Sequence, residues 1–424
     1  MKRFITLNQY KILALSSFSG ILEVYNFFIF AYFLNIIATL FFPPEIPDWL
    51  RQIQVYALFS IGFFFRPLGG VIIAHYGDTL GRKKTFIFSI VLMAFPTLAI
   101  GLIPTYNEIG YYSIILLLLF RIMQGCSYGG EVPTSLVFVS EHSSEQHINF
   151  SSTVIIASLT CGGLLSNVVA TFINSHFTHS QILEGAWRYP FILGGFLGVI
   201  SFFLRRWLQE TPVFLSMNKK ILKNQLPIKY SLINHRSAIF IGLIFFSIYN
   251  SVLISLLTLG VSLLPKLFKI SPLIASQLGV VVSVFTIIGC LIFGILADRF
   301  SQIKVLTIGL FFLAASAVLY YYQLQNSSIN IFFFAGVCGF FIGSIAIIPL
   351  LIMMSFPAKV RLSSLALVWG LSASIFSAFA PVILSFLSIF NSLAPVYYVS
   401  IFCYIGVFVG IYLMLKSNNL NKIS

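Results

Sequence analysis

Charge is what this chain has least of. Only 8% of its 424 residues are Asp, Glu, Lys or Arg, against roughly 25% in soluble domains. That excludes a soluble globule, whose surface could not be covered. Acidic groups are rarer still: there are 11, ten of them at or before Glu210 and only Asp298 beyond. A membrane-embedded carboxylate therefore has to come from the first half. Cysteine is also sparse. Cys126, Cys161, Cys290, Cys338 and Cys403 sit in apolar runs without metal spacing, so they read as small hydrophobes, and no metal site is expected. No phosphate-binding Gly-Lys-Ser/Thr loop occurs, which excludes ATP-driven pumping. No nucleophile–base constellation occurs either, so neither an enzyme nor a cofactor is expected.

What the chain has in abundance is apolar runs: 58% of its residues are hydrophobic. About 20 consecutive apolar residues span a bilayer. Twelve such spans are predicted at 12–41, 53–76, 85–104, 110–140, 150–173, 188–208, 237–265, 273–297, 304–323, 329–355, 362–390 and 394–415. The longest polar interruption, 209–236, divides them six and six. The expected organisation is thus an all-α membrane protein: an N-terminal six-helix bundle (1–208), a central loop (209–236) and a C-terminal six-helix bundle (237–424). Met1 to Lys11 is short and basic without a cleavage pattern, so the first span is expected to remain as an anchor.

A net charge of +14 suggests nucleic acid at first sight. The distribution argues otherwise, because the basic residues lie between spans. With both termini cytoplasmic, the inside segments hold Lys2, Arg3, Lys11, Arg82, Lys83, Lys84, Arg205, Arg206, Lys219, Lys220, Lys223, Lys229, Arg236, Arg299, Lys304, Lys359, Arg361, Lys416 and Lys422. The outside segments hold only Arg51, Arg188, Lys266 and Lys269. This is the positive-inside pattern, so the partner is the lipid bilayer and no nucleic acid is expected.

Polar residues inside spans default to function. In span 4, Arg121, Gln124, Tyr128, Glu131 and Ser135 recur at three- and four-residue steps. Ser16, Ser19, Glu23 and Asn26 do so in span 1. Each set forms one helical face, and the two faces predict a shared water-filled cavity. A rise of about 1.5 Å per residue puts Glu23 about 18 Å into span 1 and Arg121 at similar depth in span 4. They are expected to pair near the midplane, with Glu131 on the cytoplasmic side of the cavity. Arg66 precedes Pro67, and the expectation is structural: an Arg beside a kink can satisfy freed carbonyls. In the second half, Asn250 in span 7 is a candidate lining residue. Gly336, Gly339 and Gly343 read as close helix packing.

Several motifs resemble the major facilitator superfamily, and within it the metabolite–proton symporters, which include proline/betaine, citrate, α-ketoglutarate and shikimate carriers. These are FFFRPLGG (63–70), GDTLGRKK (77–84), RIMQGCSYGGE (121–131), WRYPFILGGFLG (187–198) and RRWLQETPVF (205–214). The resemblance implies a major facilitator fold with its site between two bundles. It also implies a proton-coupled importer of a small organic acid or zwitterion, in a bacterial inner membrane, as a monomer. An exporter of a metabolite, drug or carboxylate siderophore, or a non-transporting sensor, are the alternatives. The candidate substrate and proton residues, read from the polar faces above, are Glu23, Asn26, Arg121, Gln124, Tyr128, Glu131 and Asn250. Asp78, Gly81, Arg82 and Glu141 would form a latch, with Asp78 facing the start of span 11 and Arg82 reaching Glu141. The chain departs from the family at Asn26, where an acidic residue is usual, and at Ala74, where Gly is usual.

Overall fold

The computed structural model of the protein describes residues 6–216, 227–326 and 329–420. Lys2, Arg3, Lys219, Lys220, Lys223 and Lys422, counted above among the inside charges, lie outside the described residues. Among the described residues, twelve helices are long and apolar enough to cross a membrane. They are α1 (Gln9–Tyr32), α2 (Asp48–Leu80), α3 (Arg82–Leu102), α4 (Tyr111–His142), α5 (Glu145–His176), α6 (Arg188–Arg206), α7 (Arg236–Thr258), α8 (Leu273–Arg299), α9 (Gln302–Gln325), α10 (Ile331–Met354), α11 (Arg361–Ala380) and α12 (Ala394–Lys416). The all-α membrane architecture read from the sequence is the one observed.

Local chemistry sets where these helices start and bend. Thr6 opens the first with a capping box: its hydroxyl accepts from Gln9 N, and Gln9 Oε1 accepts from Thr6 N, so two otherwise orphaned donors are satisfied. That helix ends at Tyr32, and a separate short helix, Leu34–Phe41, follows; the single span 12–41 is therefore broken at Phe33. α2 is broken at Phe65, just before Arg66-Pro67. Pro67 has no N–H to offer Phe63 O, four residues back. Ser374 Oγ of α11 donates to that carbonyl instead, at 2.9 Å. The second half is interrupted at π-helical turns, Leu253–Thr258 in α7 and Ala373–Ser377 in α11; such turns are frequent at functional sites.

The first six helices pack chiefly on one another, as do the last six, and two seams join the sets: α5 against α8, and α2 against α11. Small residues bring backbones together. A Cβ on Gly69 would strike the Cys126 backbone, and one on Gly129 would strike Arg66 O. α2 and α4 therefore cross in direct contact, the packing mode expected where no hydrophobic effect drives helices together. Gly339 and Gly343 likewise abut the α8 backbone. The segment 209–236 is not simply a loop, since it contains the short helices Pro212–Ser216 and Pro227–Asn234.

Candidate functional site

A cavity of about 130 Å³ lies between the two sets of helices. Its wall is aromatic: Phe28 and Tyr32 of α1, Phe63 of α2, Tyr128 of α4, Tyr249 of α7 and Trp369 of α11. Asn250, Ser377, Ser283, Asn167 and Thr160 supply neutral polar groups. The one charged side chain among the described lining residues is Arg66. Its guanidinium lies over Tyr128, Phe63 and Phe27, with centroids at 3.9, 4.2 and 4.5 Å. Arg66 is only 4% exposed, its Nε and one terminal nitrogen have no hydrogen-bond partner among the described residues, and no carboxylate among them pairs with it. Arg66, expected from the sequence to be structural, thus lies on the cavity wall. The carbonyl freed by Pro67 is taken by Ser374, which leaves Arg66 for the cavity. A single Arg set among Phe residues beside a Pro was the signal in the sequence.

Two turns of π-helix shape the far wall. Leu253, Leu257 and Thr258 come from the irregular turn of α7, and Ser377 from that of α11. Asn250 Nδ2 donates to Ser372 Oγ, and Ser377 Oγ donates to Asn250 Oδ1. These bonds hold the amide of Asn250 at the cavity. Tyr249 and Trp369 pack edge to face at 5.2 Å. Neither aromatic was singled out beforehand, because an aromatic in an apolar span looks like any lipid-facing residue.

The polar stripes of α1 and α4 do meet, but inside the first set of helices; of their members only Tyr128 reaches the cavity. Ser19 Oγ lies 2.8 Å from Ser201 Oγ of α6. Asn26 packs against Gly194 and Gly198 of α6, and Gln124 Nε2 donates to Thr97 Oγ1 at 2.8 Å. From α1 the cavity receives Val24, Phe28 and Tyr32 instead. Of the expected substrate residues, only Tyr128 and Asn250 line it.

Arg121 does not pair with Glu23. It donates to Phe27 O, Phe59 O and Gln124 Oε1, and its guanidinium lies 4.5 Å from the Phe30 centroid and 4.6 Å from that of Phe27. The reason is register. α1 and α4 run antiparallel, and Glu23 opposes Ser127 at 3.3 Å, so Arg121 falls beside Phe27 and Phe30, more than a turn away. Glu131 is also displaced from its expected place on the cavity. It pairs with Arg205 of α6, a residue counted from the sequence among the inside charges but only 1% exposed.

At the end of the molecule where α2 turns into α3, a charged cluster joins the two halves. Asp78 Oδ1 accepts from Arg82 at 2.7 Å. Its Oδ2 accepts from Ser363 N at 2.9 Å and Ser363 Oγ at 2.7 Å, in the first turn of α11, where the helix dipole favours an anion. Arg82 also reaches Glu141 at 3.5 Å and Ala358 O at 3.1 Å. Arg361 lies 3.8 Å from Glu141. Gly81 has φ 119°, and a Cβ there would strike Glu210, whose carboxylate accepts from Arg82 N and Lys83 N at 3.0 and 3.2 Å. Glu210 was not foreseen; its signal was an acid four residues after the Arg-Arg end of α6. A second such contact lies at the other seam, where Asp298 accepts from Asn149 N and Phe150 N at 2.9 and 3.0 Å.

These contacts close the cavity at one end. On α1, α5 and α7, each of which begins at the Asp78 end, the lining runs from Val24 to Tyr32, from Leu159 to Asn167 and from Tyr249 to Thr258. The cavity therefore extends away from the charged cluster.

The profile of the Sugar (and other) transporter family matches residues 12–227. A relative from Staphylococcus aureus (strain COL) is 31% identical over 408 residues, covering 93% of this chain and 86% of the relative. The glycine betaine/proline/ectoine/pipecolic acid transporter OusA of Dickeya dadantii (strain 3937) is 29% identical over 433 residues, covering 96% and 84%. The proline/betaine transporter of Escherichia coli (strain K12) is 29% identical over 432 residues, covering 95% and 82%. Among solved structures, the proton:xylose symporter XylE superimposes with a TM-score of 0.73 at 17% identity, over 97% of this chain and 96% of that one. The human organic anion transporter MFSD10 does so with a TM-score of 0.69 at 12% identity, over 95% and 99%.

Proposed function

The chain belongs to the Sugar (and other) transporter family of the major facilitator superfamily, and from that premise we propose that it imports a small zwitterion of the proline or betaine type together with protons. The observation that carries this reading is Arg66. It is a buried cation without a counter-ion among the described residues, facing a cavity otherwise walled by aromatic rings, aliphatic side chains and neutral polar groups. A guanidinium is a planar fork that binds a carboxylate bidentately. Aromatic faces attract a quaternary or secondary ammonium. A zwitterion offers one group to each. A tricarboxylate would bring more negative charge than one Arg can neutralise, and a sugar would leave Arg66 unpaired. The relatives named for proline and betaine transport favour the same class.

Transport would proceed by alternating access of the halves 1–208 and 237–424 about the cavity, with 209–236 joining them. The Asp78–Arg82–Glu141–Ser363 cluster latches one end. The positive-inside bias makes that end cytoplasmic in a bacterial inner membrane, so this conformation faces outward. Opening inward requires Ser363 to leave Asp78 and Ala358 to leave Arg82. We take the monomer as the working unit, since the cavity is built from one chain.

Uptake of labelled glycine betaine and proline into proteoliposomes tests this reading. An inward proton gradient should drive accumulation, and an outward one should not. Accumulation under the outward gradient would instead make the protein an antiporting exporter.

A further inference from the structure

We propose that Glu23 and Glu131 share a single proton and form an ion-coupling site separate from the substrate cavity. The inference deepens the transporter reading, on which it rests only for what the proton drives. Neither residue lines the cavity. Glu23 is 1% exposed and Glu131 2%, and their carboxyls lie within hydrogen-bonding reach of one another. On each, one oxygen has no other partner: Oε2 of Glu23 and Oε2 of Glu131. Two carboxylates cannot both be ionised at such a distance in a buried site. One proton between the two unpartnered oxygens removes the repulsion and satisfies both.

The surroundings say which carboxyl holds it. Arg205 pairs with Glu131 Oε1 and spends its other nitrogens on Ser19 Oγ and Phe86 O. Glu131 is therefore the ionised member. Glu23 has only Ser127, whose single hydroxyl proton goes to Ser89 O at 2.6 Å and not to Glu23 Oε1 at 3.3 Å. An ionised Glu23 would be a buried charge with no donor. Protonated, it donates to Glu131, and the trio Glu23–Glu131–Arg205 is neutral. The charged and titratable groups facing the pair are Arg66 of α2, Tyr128 of α4 and Arg205 of α6. α3 contributes Ser89, and α5 has Cys161 in its middle and Glu145, His147 and His176 at its ends.

Coupling follows from the one group that faces both sites. Tyr128 lies under the Arg66 guanidinium at 3.9 Å, lines the cavity and stands in the field of both carboxyls. With Glu23 protonated, the positive charge of Arg66 is left for a substrate carboxylate. When Glu23 loses its proton, its negative charge competes for Arg66 across Tyr128. Proton and substrate thus favour each other's binding, as reciprocal linkage requires.

The test is infrared difference spectroscopy of the substrate-free protein in nanodiscs at neutral pH. Wild type should show a protonated-carboxyl band that disappears in Glu23→Gln. It should disappear in Glu131→Gln too, because Glu23 then faces Arg205 directly and ionises. No such band in wild type, or one that survives Glu23→Gln, overturns the proposal. A band lost in Glu23→Gln but kept in Glu131→Gln also overturns it, because the proton is then not shared. If Glu131→Gln does not fold, Glu131→Asp retracts the carboxyl by one methylene and should shift the band; an unshifted band counts against sharing. In proteoliposomes, Glu23→Gln should lose proton-driven accumulation of glycine betaine; wild-type accumulation by the variant would refute the coupling role. Failure of wild type to move betaine would refute the zwitterion reading while leaving the infrared result standing.

Discussion

Replacing Arg66 separates a binding cation from a structural one, because the two roles predict different balances of affinity and stability. A bidentate Arg–carboxylate contact comprises two charge-assisted hydrogen bonds, each about 1.5–3 kcal/mol. Part of that is offset by water left behind in the cavity, so Arg66→Met should cost about 2–4 kcal/mol of zwitterion affinity, or about 30- to 1,000-fold in Kd. Stability should behave otherwise. Arg66 gains three ring contacts, at about 0.5–2 kcal/mol each. It also bears the desolvation of an unpaired buried cation, several kcal/mol. These terms nearly cancel, and Met fills much of the same volume. The substrate-free variant should unfold within about 1–2 kcal/mol of wild type by these magnitudes. The assay is calorimetric titration with glycine betaine and with choline, which keeps the quaternary ammonium but lacks the carboxylate. Wild type should prefer betaine, and Arg66→Met should bind both weakly and without preference. Arg66→Lys should fall between, since it keeps the charge but not the fork. If Arg66→Met retains the preference while losing several kcal/mol of stability, Arg66 holds the helices together and the anion site lies elsewhere.

Four further outcomes follow from named contacts. Asp78→Asn replaces charge-assisted bonds to Ser363 and Arg82 by neutral ones, about 1–4 kcal/mol less for the closed end; electron-resonance distances between labels at Leu80 and Lys304 should lengthen, and unchanged distances would remove Asp78 from the latch. Gly81→Ala introduces a Cβ at φ 119° facing Glu210, so thermal unfolding should drop by at least about 1 kcal/mol; an unaltered midpoint would mean the turn tolerates a side chain. Trp369→Ala should weaken betaine binding about tenfold or more through loss of an aromatic face, whereas Tyr249→Phe, which keeps the ring, should leave affinity near wild type; equal losses would point to the hydroxyl. Ser374→Ala leaves Phe63 O without its donor, and should cost about 1–3 kcal/mol of stability, read by chemical denaturation.

The fold was legible because bilayer length and apolar composition leave few alternatives, and every span found its helix. The break at Phe33 was not legible: nothing in TYR-PHE-LEU composition separates a kinked apolar run from a straight one. The polar faces of α1 and α4 were legible as faces, but their direction was not. A stripe at three- and four-residue spacing says only that one side of the helix is polar. Whether it meets the cavity or another helix depends on rotation about the axis, which here turns Ser19 and Asn26 toward α6 and Glu23 toward α4. The error at Arg121 came from measuring depth from uncertain span ends, since a shift of a few residues at about 1.5 Å each is enough to move a residue past its supposed partner. Arg205 was misjudged because a basic residue at a span end resembles an orientation signal until its burial is known.

Those misplacements share a cause, and it bears on how such a carrier works. A single cavity holding Glu23, Arg121 and Glu131 would let substrate touch the proton site, and its carboxylate would have to displace a protein carboxylate from Arg121. The observed arrangement spreads the charges over three places. Arg121 donates to two carbonyls and Gln124, Arg205 pairs with Glu131, and Arg66 has no ion-pair partner among the described residues and faces the cavity. Of these, only Arg66 lines the cavity, so it is there that a ligand's charge can lower the energy of the protein. The proton need not enter the cavity to matter. It suffices that an ionised Glu23 lies close enough to Arg66 to compete with the ligand, with Tyr128 between them. Tyr128→Phe tests this step: the ring that carries Arg66 remains, but the hydroxyl between the two sites is gone. Betaine affinity at one fixed pH should change less than tenfold, while the dependence of that affinity on pH should flatten. A full pH dependence in Tyr128→Phe would mean that the sites communicate through helix movement and not through the field across Tyr128.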